Sequence, residues 1–238
     1  MPLPHSPPSS EPSDTNVLFT FVAPPVRPLP NSPVFWRGHL LHAQEEGVLY
    51  PTVHFVEHHS DELPSSPHPN SDDFLHQGLY KEVKNIKPPG EHPPAKSSQS
   101  TCYILLGFKS LEKNFHQVMV NTWRDWTAAR YIYMYLPDEL GLARISLFQS
   151  LSTPSPSVFT YVVLVECRSV NTVQQQAQLL DFAQRLRVER VTGYISVYSS
   201  EPISRSGTPE LKPAVPLRTS FSLNGSRYEY LHGVEATH

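Results

Sequence analysis

Proline decides where this chain can and cannot build a core. Its 238 residues include 25 prolines, crowded into residues 1–33, 64–69, 88–94, 154–156 and 202–216. Each removes a backbone donor and fixes φ, so dense clusters exclude long helices and central strands. The run from Cys102 to Leu136 contains none. Residues 1–33 therefore read as a disordered proline-rich arm, 34–199 as one α+β domain, and 200–238 as a linker with a C-terminal hairpin and tail. Inside the domain, Pro64-Ser65-Ser66-Pro67, Asn70-Ser71-Asp72-Asp73 and Pro88-Pro89-Gly90 make 60–100 a long loop. Asn224-Gly225 is the hairpin signal in the tail.

Behind the loop the hydrophobic period changes in an interpretable order. Cys102–Phe108 is a continuous apolar run of strand length. Leu111, Phe115, Val118 and Thr122 then step round one stripe, which predicts a helix over 111–136 that Pro137 ends. Ala143–Phe148 alternates like a strand, and Val158–Val165 is the densest β-branched and aromatic run. Asn171, with Gln174 three residues on, caps a helix whose Val173, Ala177, Leu180, Phe182, Ala183 and Leu186 share one broad face. Tyr194–Tyr198 is a closing strand. Strand–helix–strand–strand–helix–strand over 102–199 is the order of a ferredoxin-like βαββαβ core, with two helices on one face of an antiparallel sheet. A hairpin over 34–56 is expected to extend that sheet, its strands at 34–41 and 48–56.

A net charge of −3 supplies no field for nucleic acid or an anionic membrane. The two cysteines, Cys102 and Cys167, lie in apolar strand-like runs and do not indicate a disulfide framework. No apolar stretch reaches the ~20 residues that span a bilayer, and Met1-Pro2-Leu3-Pro4-His5 lacks the order of a signal peptide. The expected location is cytoplasm, nucleus or both. Nucleophile elbows, phosphate loops, dinucleotide glycines and zinc knuckles are missing from the sequence, so no catalytic residue and no cofactor is expected.

Four patterns carry candidate sites. His54-Phe55-Val56-Glu57-His58 matches a zinc-protease spacing, which would make His54, Glu57 and His58 the metal residues. That chemistry needs a helix, whereas Thr52–Val56 reads as a strand between prolines. Arg27-Pro28-Leu29-Pro30-Asn31-Ser32-Pro33 resembles an arginine-first SH3 ligand, with Arg27, Leu29, Pro30 and Pro33 as the contacts. A stiff linker is the plainer reading. Trp123, Trp126, Tyr131 and Tyr135 lie in the densest aromatic segment, too rich for one helix face, and are the partner-binding candidates. Phe159-Thr160-Tyr161-Val162 resembles the second motif of RNA-recognition modules, with Tyr103 where the first would place a ring; Tyr103, Phe159 and Tyr161 would stack bases. Ser157-Val158 stands where that family has its basic residue and glycine.

Val34-Phe35-Trp36-Arg37-Gly38-His39-Leu40 resembles the opening strand of SPOC domains, interaction modules of transcriptional regulators. The resemblance runs over 34–199 and implies peptide recognition, with no site carried over. Ser6, Ser66, Ser155 and Thr208 each precede a proline and suit proline-directed phosphorylation.

The expectation from sequence is a non-catalytic protein-interaction module with unidentified protein partners. One alternative is an RNA binder, requiring a basic stripe such as Arg185, Arg187 and Arg190. The other is a small enzyme of the dimeric α+β-barrel type, with His116, Trp123 and Tyr131 in its pocket.

Overall fold

The computed structural model describes residues 9–10, 16–24, 37–58, 74–89, 101–109, 116–151, 158–189 and 193–202. Its strands are β1 (Ser9–Ser10), β2 (Asn16–Val22), β3 (His39–Ala43), β4 (Thr52–His58), β5 (Leu75–Ile86), β6 (Cys102–Phe108), β7 (Leu142–Ser150), β8 (Tyr161–Cys167) and β9 (Tyr194–Pro202). Helices α1 (His116–Asn121), α2 (Trp123–Trp126) and α3 (Ala129–Tyr135) follow β6, and α4 (Val173–Glu189) follows β8.

Every described strand pair is antiparallel, and the order β5-β2-β4-β3-β9-β6-β8-β7 returns from β7 to β5. Eight strands therefore close a barrel, and β1 adds two residues beside the end of β5. This overturns the expected open ferredoxin-like βαββαβ sheet. Pattern within a segment encodes which face is buried, but not which distant edge the sheet meets. The closing seams are β3–β9 and β5–β7, each between strands remote in sequence.

The two halves repeat one plan. Within β2–β5 the spatial order is fourth, first, third, second strand, and within β6–β9 it is the same. Each half's second strand pairs with the other half's fourth. All four described α-helices, and the 3-10 turn Asp138–Leu140, belong to the second half.

The strand pleat sends alternate residues to two separate cores. Val17, Phe19, Phe21, Leu41, Val53, Phe55, Tyr80, Leu105, Phe148, Leu164 and Tyr198 fill the barrel interior. Ile104, Leu106, Ile145, Leu147, Val163, Val165 and Val197 face outward against the helices, where they meet Trp123, Ile132, Leu179, Phe182 and Leu186.

Several segment readings need correction. The arm over 1–33 contains β2, whose Val17, Phe19 and Phe21 are barrel core. The loop over 60–100 contains β5, twelve residues long. Its inward positions include Gly78 and Glu82, placed opposite the inward Phe19 and Phe148. A hydrophobic alternation is thus hidden by one small and one charged residue. The hairpin strands pair as β3 and β4, starting later than expected, with Gly38 at φ +86 leading in. A Cβ there would stand 2.2 Å from the Phe55 carbonyl oxygen, so only glycine fits.

The single helix expected over 111–136 is three short ones. Thr122 and Thr127 sit at the two breaks, and their hydroxyls donate to the carbonyls of Val118 and Trp123 four residues back. Ala128 then takes a left-handed φ of 59° and turns the chain into α3. Residues 111–115, Val34–Trp36 and the expected C-terminal hairpin lie outside the described residues.

Candidate functional site

A groove lies between α2 and α3, which the turn at Thr127–Ala128 joins. It has a volume of about 380 Å³ and is lined by Arg124, Asp125, Ala128, Arg130, Tyr131, Met134, Tyr135 and Glu189. Tyr131 packs on Phe182 with ring centroids 6.0 Å apart, which fixes it to α4. Tyr135 lies 4.7 Å from Tyr131 and is 58% exposed; Met134 beside it is 43% exposed. Arg130 pairs with Asp125 at 3.2 Å on the rim. The result is an open aromatic floor with both signs of charge around it, a composition suited to protein contact.

Of the four aromatic partner candidates, the structure brings Tyr131 and Tyr135 into this groove. Trp123 is 2% exposed and belongs to the core beneath the helices. Trp126 is half-buried; its indole N–H donates to the Met119 carbonyl at 2.7 Å, and its ring meets Phe108 and Tyr161 edge-on. Both tryptophans hold the helices to the barrel. Sequence reasoning missed Met134 and the charged rim, which become visible only once the helix breaks.

A second cluster lies where α1 meets the barrel. His116 Nδ1 is 2.5 Å from the hydroxyl of Tyr161, which is buried on the outer face of β8. Burial raises the Tyr161 pKa, so its phenol stays protonated and shares one hydrogen bond with the imidazole. Phe108 and Trp126 wall this pair. His116 is only half-buried, so the pair opens on one side. Trp123 and Tyr131, the other two pocket candidates, have no ring contact with it among the described residues.

The barrel mouth nearest the start of β6 gathers polar side chains. Glu82 and Arg144 form an ion pair inside it, one guanidinium nitrogen reaching both carboxylate oxygens, and Glu166 pairs with Arg168 at 2.7 Å. His39 stacks on Phe55 at 4.7 Å. Desolvation lowers the His39 pKa, against the opposing fields of Glu166 and Glu57. Tyr103 shares this end, its phenol pKa raised by burial and by Glu166. Arg144 and Arg168 at this mouth each already have a carboxylate partner.

The remaining candidates are scattered. His54 is fully buried on the outer face of β4, where its Nε2–H donates to the Arg37 carbonyl at 2.7 Å. Glu57 occupies the opposite face, and His58 is four strand residues from His54, about 13 Å along the chain. His54, Glu57 and His58 therefore cannot share one ion as a helix would allow. Among the described residues no group of three His, Cys, Asp or Glu could hold a metal. Tyr103, Phe159 and Tyr161 are all buried, Tyr103 and Phe159 in the interior core and Tyr161 under the helices. They present no common face to a base. Arg185 is paired with Asp181, and Arg187 bonds Glu45, Gln184 and the Ile195 carbonyl. Arg27, Leu29, Pro30, Pro33 and Arg190 lie outside the described residues, as do the four proline-directed sites.

Residues 35–200 match a family model described as a domain of unknown function, DUF7153. The chain belongs to this family. Among curated proteins no sequence matches. One similar solved structure is reported as a crystal structure study of an anthrone oxidase-like protein, with a TM-score of 0.44 and 11% identity over 86% of this chain and 100% of that one. No described helix is long and apolar enough to cross a membrane.

Proposed function

We propose that this chain is a protein-interaction module whose contact surface is the groove between α2 and α3. The observation that carries this reading is the exposed Tyr131–Met134–Tyr135 floor inside a rim of Arg124, Asp125, Arg130 and Glu189. Aromatic and methionine side chains enrich the centres of interfaces, and large exposed rings cluster where something covers them. Tyrosine adds contact area at small entropic cost, having two side-chain torsions. The groove is shallow and open, which suits a protein surface better than a small molecule.

The test is retention of a partner from native extract by the full chain and by a Tyr131→Ala/Tyr135→Ala variant. The reading expects a bound protein lost by the variant while its circular dichroism is unchanged. Equal retention by both proteins would remove the groove from the interaction.

A second reading rests on the 2.5 Å contact between His116 and Tyr161. A histidine held by a protonated phenol and walled by two aromatic rings can relay a proton to a small molecule. In this reading the chain is a small enzyme of the dimeric α+β-barrel type. Trp126, 5.4 Å from Tyr161, would report an arriving ligand through its fluorescence. A screen in which no compound changes that emission, in wild type or in Tyr161→Phe, counts against it.

A further inference from the structure

We infer that the occupant of the α2–α3 groove is a second copy of this chain, docked about a two-fold axis. This rests on the reading of the groove as a protein contact and names its partner. Three observations lead there.

The first is topological. Eight strands close on themselves, so β2–β9 leave no barrel edge on which another chain could add a strand. Apart from the two-residue β1, association has to use a side-chain surface, and the described helices pack on the outer face of the second half.

The second is the grouping of exposed apolar residues. Met134 and Tyr135 are in the groove, and Val188, 75% exposed, precedes the groove residue Glu189 on α4. The turn at Ala128 stays in a left-handed conformation that costs about 1 kcal/mol or more for a residue with a side chain.

The third is charge. The rim carries Arg124, Arg130, Asp125 and Glu189, two of each sign. Arg130 and Asp125 pair within the chain, and among the described residues Arg124 and Glu189 have no ion pair. The rim is thus left with one unpaired charge of each sign, which a second copy can match. In a two-fold interface residue i meets j and j meets i, so Arg124 of each copy can face Glu189 of the other. A partner of one strong sign would leave half this rim opposed by like charge.

The experiment is sedimentation velocity on the full chain from about 1 to about 100 μM, with four variants. Wild type is expected to shift from monomer to dimer across the range. Val188→Glu removes an apolar contact at an exposed position and should weaken association at least tenfold without changing the circular dichroism spectrum. Arg124→Glu and Glu189→Arg each place like charges across the axis and should do the same. The double variant Arg124→Glu/Glu189→Arg restores opposite pairing and should recover dimerisation. A wild type that stays monomeric throughout overturns the inference, as does a dimer that Val188→Glu and both charge reversals leave intact. Failure here leaves the interaction reading to its own test, since capture of a different protein through Tyr131 and Tyr135 does not depend on self-association.

Discussion

Glu82 and Arg144 face each other across the seam that closes the barrel. Glu82 is on β5, Arg144 on β7, and one guanidinium nitrogen contacts both carboxylate oxygens. The carboxylate is 3% exposed. The other seam has a counterpart in Glu45, just beyond β3, which accepts from Arg187, the Ser196 hydroxyl and the Val197 backbone N–H. Each junction between the halves is therefore fixed by one carboxylate. Removing one member of a buried pair leaves an uncompensated charge, costing about 3–5 kcal/mol. Glu82→Ala should lose stability on that scale in urea denaturation. Glu82→Leu/Arg144→Met should lose much less, because both charges leave together. Equal losses for the two would place the pair outside the closing machinery.

Stability should fall on acidification below neutrality, and His54 is one cause. Burial lowers its folded pKa below the ordinary 6.5, a donor bond to Arg37 partly opposes this, and His39 adds a small further lowering. Above pH 6.5 both folded and unfolded states hold the imidazole neutral, so it contributes nothing to the pH slope. Below 6.5 the unfolded chain takes up the proton first, and stability is lost until the pH passes the folded pKa. His39 shifts in the same direction. Unfolding free energies at pH 7.5 and pH 5.5 should differ, and His54→Gln should flatten the difference. An unchanged slope in the variant would mean other groups carry the acid sensitivity.

The second half of the chain shows its elements in sequence far better than the first, and the reason is what each strand faces. In β6 and β8 nearly every position is buried, one face in the barrel and one under helices, so Cys102–Phe108 and Tyr161–Val165 read as apolar runs. In β5 the inward face carries Gly78 and Glu82 and the outward face Gln77 and Lys81, so no periodicity marks it. β2 is apolar, but its flanking prolines place it with the arm. Closure is illegible for a different reason: β5–β7 and β3–β9 join residues about 60 and about 160 positions apart, and local pattern holds no record of such partners. The groove was half legible. Aromatic density marks Tyr131 and Tyr135 but does not separate them from Trp123, which is buried beneath the helices.

Cys102 and Cys167 stand directly opposite each other on β6 and β8, both buried and both free thiols. Burial pushes the Cys102 pKa up to about 11 and that of Cys167 higher still. The thiolate is the reactive form, so at pH 8 almost none is present in the folded protein. A disulfide-exchange reagent should titrate close to no thiols in native protein over minutes and two after denaturation. Fast reaction of one thiol in the native state would show that strand β6 or β8 opens locally.

Phe159 plugs the barrel end opposite the polar mouth, and its fit depends on a missing side chain. Its ring stacks on Tyr194 at 5.5 Å and meets Phe21 and Tyr50 edge-on. The Tyr80 hydroxyl donates to its carbonyl at 2.7 Å in a buried site. A Cβ on Gly107 would stand 2.5–2.6 Å from three carbons of the Phe159 ring, so the ring or the strand would have to shift. Gly107→Ala must displace the plug, an overpacking that costs about 1–3 kcal/mol. Tyr80→Phe keeps the packing but leaves the Phe159 carbonyl without this donor, at about 1–2 kcal/mol. Because both act on one residue, the double variant should lose less than the sum of the singles, by about 0.5 kcal/mol or more. Strict additivity in denaturation curves would mean that the ring and the carbonyl of Phe159 are held independently.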